Sequence, residues 1–254
     1  MADQTVHLKI KRQDGPDKPS YWQEFAVPYT PGMNILTCLD EISKNPTTIR
    51  GETVAPVAWE SCCLEEVCGA CSMRINGVPQ QACSALVEKY KQPITLEPMA
   101  KFPIVRDLII DRQTMFDNLM RVRAWVPIDG TYDLGPGPRQ TAADQRWMYV
   151  LSRCMTCGCC LDVCPQVNPR SDFIGAAMIN QVRLFNHHPT GRMHAKERLE
   201  ALLGSGGIAD CGNAQNCVQV CPKEIPLTQS ISEMGRETVF YAVRRFLLKP
   251  DVEM

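Results

Sequence analysis

The chain has 254 residues, a formal net charge of −1 and 44% hydrophobic residues. That length fits one large domain or two modest ones, and that composition is ordinary for a globular protein. So balanced a charge excludes the basic footprint of a nucleic-acid binder, and no nucleic-acid partner is expected.

The opening stretch MADQTVHLKIKRQ alternates polar and apolar residues and lacks the apolar core of a signal peptide. No segment approaches the ~18 uncharged apolar residues of a membrane span. Val6–Ile10 and Trp22–Val27 have strand patterning. Asn34–Ser43 carries Ile35, Leu36, Leu39 and Ile42 at helical spacing after Pro31-Gly32. Cys38 falls among those residues and is expected to pack in the core. Short strands are expected at Ser72–Ile75, which runs into the turn Asn76-Gly77, and at Ile94–Leu96. Past residue 115 the strand signals fade, and helices are expected over 141–152, 172–184, 194–203 and 227–247. The Pro- and Gly-rich stretch Pro127–Pro138 reads as loop. This gives an α+β chain with a β-rich domain over 1–110 and an all-α domain over 111–254.

Fourteen cysteines depart from ordinary composition, and thirteen of them fall in three groups. Disulfides are rare in the cytoplasm, where the chain is expected, so tight cysteine spacing there points to metal. Cys63, Cys68 and Cys71 form C-x4-C-x2-C, with Cys83 further on. That is the spacing of a plant-type [2Fe–2S] centre, whose loop brings three thiolates to two irons while a fourth returns from a neighbouring segment. Gly69 and Ala70 are small, so backbone N–H groups can approach sulfur. A four-cysteine zinc site is the alternative, but structural zinc usually pairs two C-x2–4-C knuckles. Cys62 competes with Cys63, yet the x4 spacing to Cys68 selects Cys63.

Cys154, Cys157, Cys160 and Cys164 form C-x2-C-x2-C-x3-C-P, the run of two-cluster bacterial ferredoxins, whose fourth cysteine serves the other cluster. The run CGNAQNCVQVCP repeats it with Cys211, Cys217 and Cys221, but Ala214 stands where the second cysteine belongs. The crossover rule gives Cys154, Cys157, Cys160 and Cys221 to a [4Fe–4S] cluster. Cys164, Cys211 and Cys217 remain for a second cluster with one ligand too few. An iron without a thiolate is easily lost, so that cluster is expected to be [3Fe–4S]. Cys159 is out of register and is expected to pack.

A plant-type [2Fe–2S] block, then CMTCGCCLDVCP, then CGNAQNCVQVCPKEIP, is similar to the iron–sulfur subunits of succinate dehydrogenases and fumarate reductases (complex II). The segments CLEEVCGACSM and RLFNHHPTGR most resemble the Gram-positive, Bacillus-type, menaquinone-linked enzymes. The resemblance implies a β-grasp [2Fe–2S] ferredoxin domain followed by a helical bacterial-type ferredoxin domain. It also implies a flavoprotein partner with FAD at the succinate site, a membrane anchor with haem b, and electron delivery to quinone. Such a chain would sit peripherally on the cytoplasmic face of the cell membrane. Ubiquinone-reducing relatives usually carry two tryptophans where Asn168 and Pro169 stand, and a histidine where Gly212 stands. Their absence favours menaquinone, with Pro165 and Ala214 beside it. A fumarate reductase subunit working in the opposite direction is the nearest alternative. A zinc-stapled assembly module is the remote one.

No G-x-G-x-x-G dinucleotide signature is present, so the redox centres would be this chain's contribution and the organic chemistry a partner's. His187-His188 before Pro189 reads as a solvated loop or subunit contact. Arg121, Arg123 and Trp125 form a mixed segment suited to facing a partner. Val239–Lys249 reads as a helix packed on its own domain with its charges outward.

Overall fold

The computed structural model describes residues 5–126 and 138–248, so the loop expected over Pro127–Pro138 lies outside them but for its last residue. Two compact units divide the chain. One holds the described residues up to Arg112 together with Met155–Asp162; the other holds Gln113–Cys154 and everything described from Val163 onward.

In the first unit, β1 (Thr5–Arg12) alternates buried and exposed side chains, as period-2 patterning requires. It pairs antiparallel with β2 (Tyr21–Pro28), Leu8 opposite Phe25, and parallel with β5 (Ile94–Glu97), Leu8 opposite Ile94. Next come β3 (Ser72–Ile75) and β4 (Val78–Gln81), giving the sheet order β2-β1-β5-β3-β4. The β3–β4 hairpin turns at Asn76 and Gly77, with φ of 49° and 81°. Both central residues of a type I′ turn need positive φ, and Asn-Gly supplies them.

Helix α1 (Ile35–Lys44) starts at Asn34, whose side-chain oxygen accepts the Thr37 N–H at 2.9 Å. It buries Ile35, Leu36, Cys38, Leu39 and Ile42 in one core with Leu8, Ile10, Phe25, Ile75 and Leu96. Each such side chain contributes roughly 1.5–3 kcal/mol of hydrophobic stabilisation. Burial also pushes the Cys38 thiol up to about 12, so it stays a neutral core residue. This helix across a mixed sheet is the β-grasp arrangement. A short ribbon, β6 (Ile104–Arg106) with β7 (Ile109–Ile110), follows. Between its strands Asp107, fully buried, accepts from Arg12 Nε at 2.8 Å and from the N–H groups of Gln13 and Ala58. A buried carboxylate so completely satisfied fixes the approach to the first cysteine loop.

The second unit is helical: α2 (Gln113–Arg121), α3 (Ala142–Ser152), α5 (Ala176–His187), α6 (Ala195–Leu203), the short α7 (Asn216–Gln219) and α8 (Leu227–Leu247). The turn labelled α4 (Cys159–Asp162) belongs to the first unit. Helix α5 is buried nearly all round and packs against α3, α6 and α8. It begins at Ala176 rather than 172, because Gly175 (φ 89°) breaks the helical path before it. Arg198 on α6 is fully buried and donates to the carbonyls of Arg123, Trp125 and Gly191 at 2.9, 2.9 and 2.6 Å. The end of α8 differs from expectation. Val239, Phe240, Val243, Phe246, Leu247 and Leu248 are exposed, so its apolar residues do not pack inward. Lys249 lies outside the described residues. Among the described residues no helix is long and apolar enough to cross a membrane.

Candidate metal centres

The first cysteine loop is built to receive thiolates. Leu64, Glu66 and Gly69 all have left-handed φ, 62°, 55° and 74°. Alternating the hand of successive residues turns their N–H groups toward one point, forming an anion-binding nest. That point is Cys63 Sγ, which accepts from the N–H groups of Glu65, Val67 and Cys68 at 3.4, 3.3 and 3.3 Å. Cys68 Sγ accepts from Ala70 N–H at 3.4 Å. Those backbone N–H groups at Glu65 and Val67 bring the Cys63 thiol down to about 7. All three donors select Cys63, while the adjacent Cys62 is exposed.

Cys71 and Cys83 approach from the sheet side and are buried; their thiols hydrogen-bond to each other. Burial first of all pushes Cys71 up to about 12. Asn34, the cap of α1, also donates to the Cys83 carbonyl at 3.0 Å and fixes that return segment. Cys63 and Cys68 are thus half-buried, and Cys71 and Cys83 are buried. N–H donors aimed at Cys63 and Cys68 Sγ favour the thiolate form that a [2Fe–2S] group takes, and the C-x4-C-x2-C spacing is the plant-type one.

Gly69 explains its own identity. A Cβ there would lie 2.8 Å from Cys157 Cα and 2.9 Å from Cys157 Cβ, so the first loop rests directly on the second cysteine run. Thr156 and Gly158, with φ of 53° and 84°, repeat the left-handed device around Cys157. The Arg112 guanidinium donates to Ala70 O at 2.9 Å and to Glu60 at 2.6 Å, and its charge helps lower Cys157. Cys157 comes down to about 7, chiefly because the Cys159 thiol hydrogen-bonds to it. Cys159 is pushed strongly up by that same contact and by burial, so it keeps its proton. Helix α4 carries Cys159 and Cys160 and ends at buried Asp162. Arg74 Nε binds that carboxylate at 2.6 Å, and Lys101 N–H adds a bond at 3.2 Å. Of the remaining cysteines expected to join Cys157 and Cys160, Cys154 follows α3 and Cys221 follows α7, both in the second unit.

The third group lies within the second unit. Cys164, Cys211 and Cys217 line one concavity together with Pro165, Gly212 and Ala214. Burial raises the Cys217 thiol, and the neighbouring Cys164 and Cys211 raise it further, so the three are close enough to interact. Asn213 and Gln215, with φ of 50° and 61°, flank Ala214 with the same alternation seen around Cys63. Ala214, exposed, stands between them on the rim of the same hollow. A Cβ on Gly212 would meet Gln166 Nε2 at 2.5 Å, so a side chain there must displace that amide. Asn168 turns its own amide onto the Pro165 and Gln166 carbonyls at 3.0 and 3.3 Å.

Sequence reasoning gave no role to Ser72, Arg74, Gln81, Arg112 or Asp162. Arg74, Gln81, Arg112 and Asp162 act through contacts far apart in the chain, Ser72 through Gly69 and Gln81, and no spacing marks any of them. Of the solvated loop or subunit contact expected for His187, the loop is not found: the residue ends α5, half-buried, with Nε2 2.6 Å from Glu233 and an edge-on contact to Trp147. Glu237 joins them, and Arg183 binds Glu233 at 2.6 Å, which makes this a structural ion-pair network.

Cysteine sets of two kinds, one on a β-grasp loop and two on a helical scaffold, define an iron–sulfur protein of the ferredoxin class. Comparison with family models agrees: residues 7–117 match a 2Fe-2S iron-sulfur cluster binding domain and residues 150–225 a 4Fe-4S dicluster domain. The chain is 57% identical to the succinate dehydrogenase iron-sulfur subunit of Bacillus subtilis, over 97% of this chain and 98% of that one. It is 30% identical to the fumarate reductase iron-sulfur subunit of Wolinella succinogenes, over 91% and 95%. Its fold matches a chain of the Mycobacterium smegmatis Sdh1 complex with a TM-score of 0.76 at 23% identity, over 99% and 100%. The chain belongs to the family of succinate dehydrogenase and fumarate reductase iron–sulfur subunits.

Proposed function

We propose that this chain is the electron-transfer subunit of a succinate:quinone oxidoreductase. Cys63, Cys68, Cys71 and Cys83 hold a [2Fe–2S] cluster. Cys154, Cys157, Cys160 and Cys221 hold a [4Fe–4S] cluster, and Cys164, Cys211 and Cys217 a [3Fe–4S] cluster. When bound, these groups supply one-electron carriers in series between FAD of a flavoprotein subunit and menaquinone at a haem b-containing membrane anchor. The chain's own work is to space the centres, keep water from the buried thiolates and direct N–H groups at their sulfurs. It docks peripherally, on the cytoplasmic face of the cell membrane, with Pro165 and Ala214 toward the quinone.

The observation that carries this reading is Ala214 in the hollow lined by Cys164, Cys211 and Cys217. A cluster lacking one thiolate carries less negative charge around it and takes an electron more readily, which suits the last stop of a chain. The identity of 57% to a succinate dehydrogenase subunit favours succinate oxidation over the reverse reaction. The test is low-temperature EPR on native membranes, oxidised and then given succinate. A three-iron signal present when oxidised should vanish as a [2Fe–2S] signal appears. Zinc without inorganic sulfide, or oxidised membranes with no three-iron signal, would overturn the reading.

A further inference from the structure

Helix α8 outruns the unit it packs on. Its buried positions, Leu227, Ser230, Met234 and Thr238, follow helical spacing and stop at Thr238. The helix itself continues to Leu247, about 13 Å further along its axis. Tyr241 Oη donates to Glu200 Oε1 at 2.7 Å and ties this stretch to α6. Beyond that tie every residue from Val243 to Leu248 is exposed. Val239, Phe240, Val243, Phe246, Leu247 and Leu248 are large, apolar and exposed, Phe240 at 67% and Phe246 at 83%.

Single exposed apolar residues are ordinary, but six along one helix end form a patch. Val239, Phe240, Val243, Phe246 and Leu247 share one face by helical spacing. Phe246, Leu247 and Leu248 are successive, about 100° apart around the axis, so the tip is apolar on more than that face. A groove on a protein takes one stripe of a helix. The boundary between lipid headgroups and acyl chains is continuous and takes the whole tip. The charge points the same way. Past Glu237 the described helix has no acidic residue, while Arg244 and Arg245 are exposed among the apolar residues. Cations suit the C-terminus of any helix, but that role calls for no apolar neighbours. Arginine beside exposed Phe and Leu is the composition of a helix that lies in an anionic membrane surface.

We propose that the end of α8, Val239–Leu248, inserts its apolar residues into an anionic lipid surface, with Arg244 and Arg245 on the lipid phosphates. This rests on the peripheral membrane location proposed above and is independent of the cluster assignments. The start of α8 lies at the third cysteine set, where Thr228 and Ile231 line the hollow with Ala214. Phe246 is about 27 Å along the helix from Thr228. A helix lying along the surface would therefore hold that set close to the same membrane face.

The experiment measures sedimentation of the full, cluster-loaded chain, without partner subunits, with vesicles of phosphatidylcholine and phosphatidylglycerol or of phosphatidylcholine alone. The parent should bind the anionic vesicles, and less so as salt is added. Arg244→Gln with Arg245→Gln should bind about 10- to 30-fold more weakly. Phe240→Ser with Phe246→Ser should bind about 100-fold more weakly, with unchanged cluster spectra because both side chains are exposed. In the assembled complex in vesicles, Phe246→Trp should show fluorescence quenching by brominated lipid above the parent's. A parent that ignores anionic vesicles, variants that bind as it does, or a Trp that brominated lipid does not quench overturns the proposal and leaves the cluster reading standing. Loss of the membrane anchor or of self-association in the Phe variants, with no vesicle binding by the parent, would mean that a protein covers the helix, which also overturns it.

Discussion

Gly69→Ala is the sharpest test of how closely the first two cysteine loops pack. Two separate costs are built into that position. Its φ of +74° is a left-handed conformation, which costs a residue with a Cβ about 1–2 kcal/mol. The added methyl would also stand 2.8 Å from Cys157 Cα and 3.1 Å from Met155 O. Those are backbone atoms, so no side chain can swing away, and overpacking of that kind costs about 1–3 kcal/mol. Gly77→Ala is the matched control: its φ is +81°, but a Cβ there meets nothing within 4 Å. Gly77→Ala should thus lose about 1–2 kcal/mol and Gly69→Ala about 2–5 kcal/mol. With about 2–4 °C per kcal/mol for a protein of this size, Gly69→Ala should melt about 2–12 °C below Gly77→Ala. Cluster proteins rarely unfold reversibly, so apparent Tm values should be compared at one scan rate. Equal losses in the two variants would refute the close approach of the loops.

Ala214→Cys should convert the [3Fe–4S] cluster toward [4Fe–4S], seen as loss of the oxidised three-iron EPR signal; an unchanged signal would refute the register of the third run. Arg74→Met should destabilise the first unit by about 3 kcal/mol, because it leaves the buried Asp162 carboxylate with only backbone donors. Asp162→Asn in the same background should restore part of that loss, measured as apparent Tm; no recovery would mean the ion pair is not the cause. His188 Nδ1 accepts the N–H groups of Thr190 and Gly191, which requires neutral imidazole, and burial followed by the Arg198 charge lowers its pKa. The unfolded chain therefore binds the extra proton first, so this contribution is present above the unfolded pKa of about 6.5 and is lost as pH falls toward the folded value. His188→Asn keeps an acceptor without titrating, and its Tm should fall less than the parent's between pH 7.5 and 5.5; parallel falls would exclude His188.

Strands β1 and β3 and the helices at 142, 195 and 227 were legible in the chain because period-2 and period-3.6 patterns are local. The cysteine sets were legible for a different reason: cluster geometry imposes spacing on a single loop. What escaped is what spacing does not encode. Gln81 looks like an ordinary polar strand residue until the fold sets it against Cys159, 78 residues away. Nothing local marks Asp162 as buried, yet Arg74, 88 residues earlier, pairs with it. Leu64 and Glu66 carry no sign of left-handed backbone, since that propensity belongs to Gly and Asn; the thiolate they serve compensates for the strain. Exposure of Phe240 and Phe246 was misjudged because helical periodicity finds an apolar stripe without saying what covers it.

The return of Met155–Asp162 into the first unit bears on how the chain is made. A ribosome releases the N-terminal strands and α1 early, but the wall that Asp162 and Cys159 supply to that unit is encoded 50 residues beyond Arg112. At about 5–20 residues per second that interval is about 2.5–10 s. During it the carboxylate partner of Arg74 and the thiol partner of Gln81 do not yet exist. The first cysteine loop, with its nest already foldable from local residues, waits in an open half-site. A truncation after Arg112 would therefore free not a domain but an unfinished one.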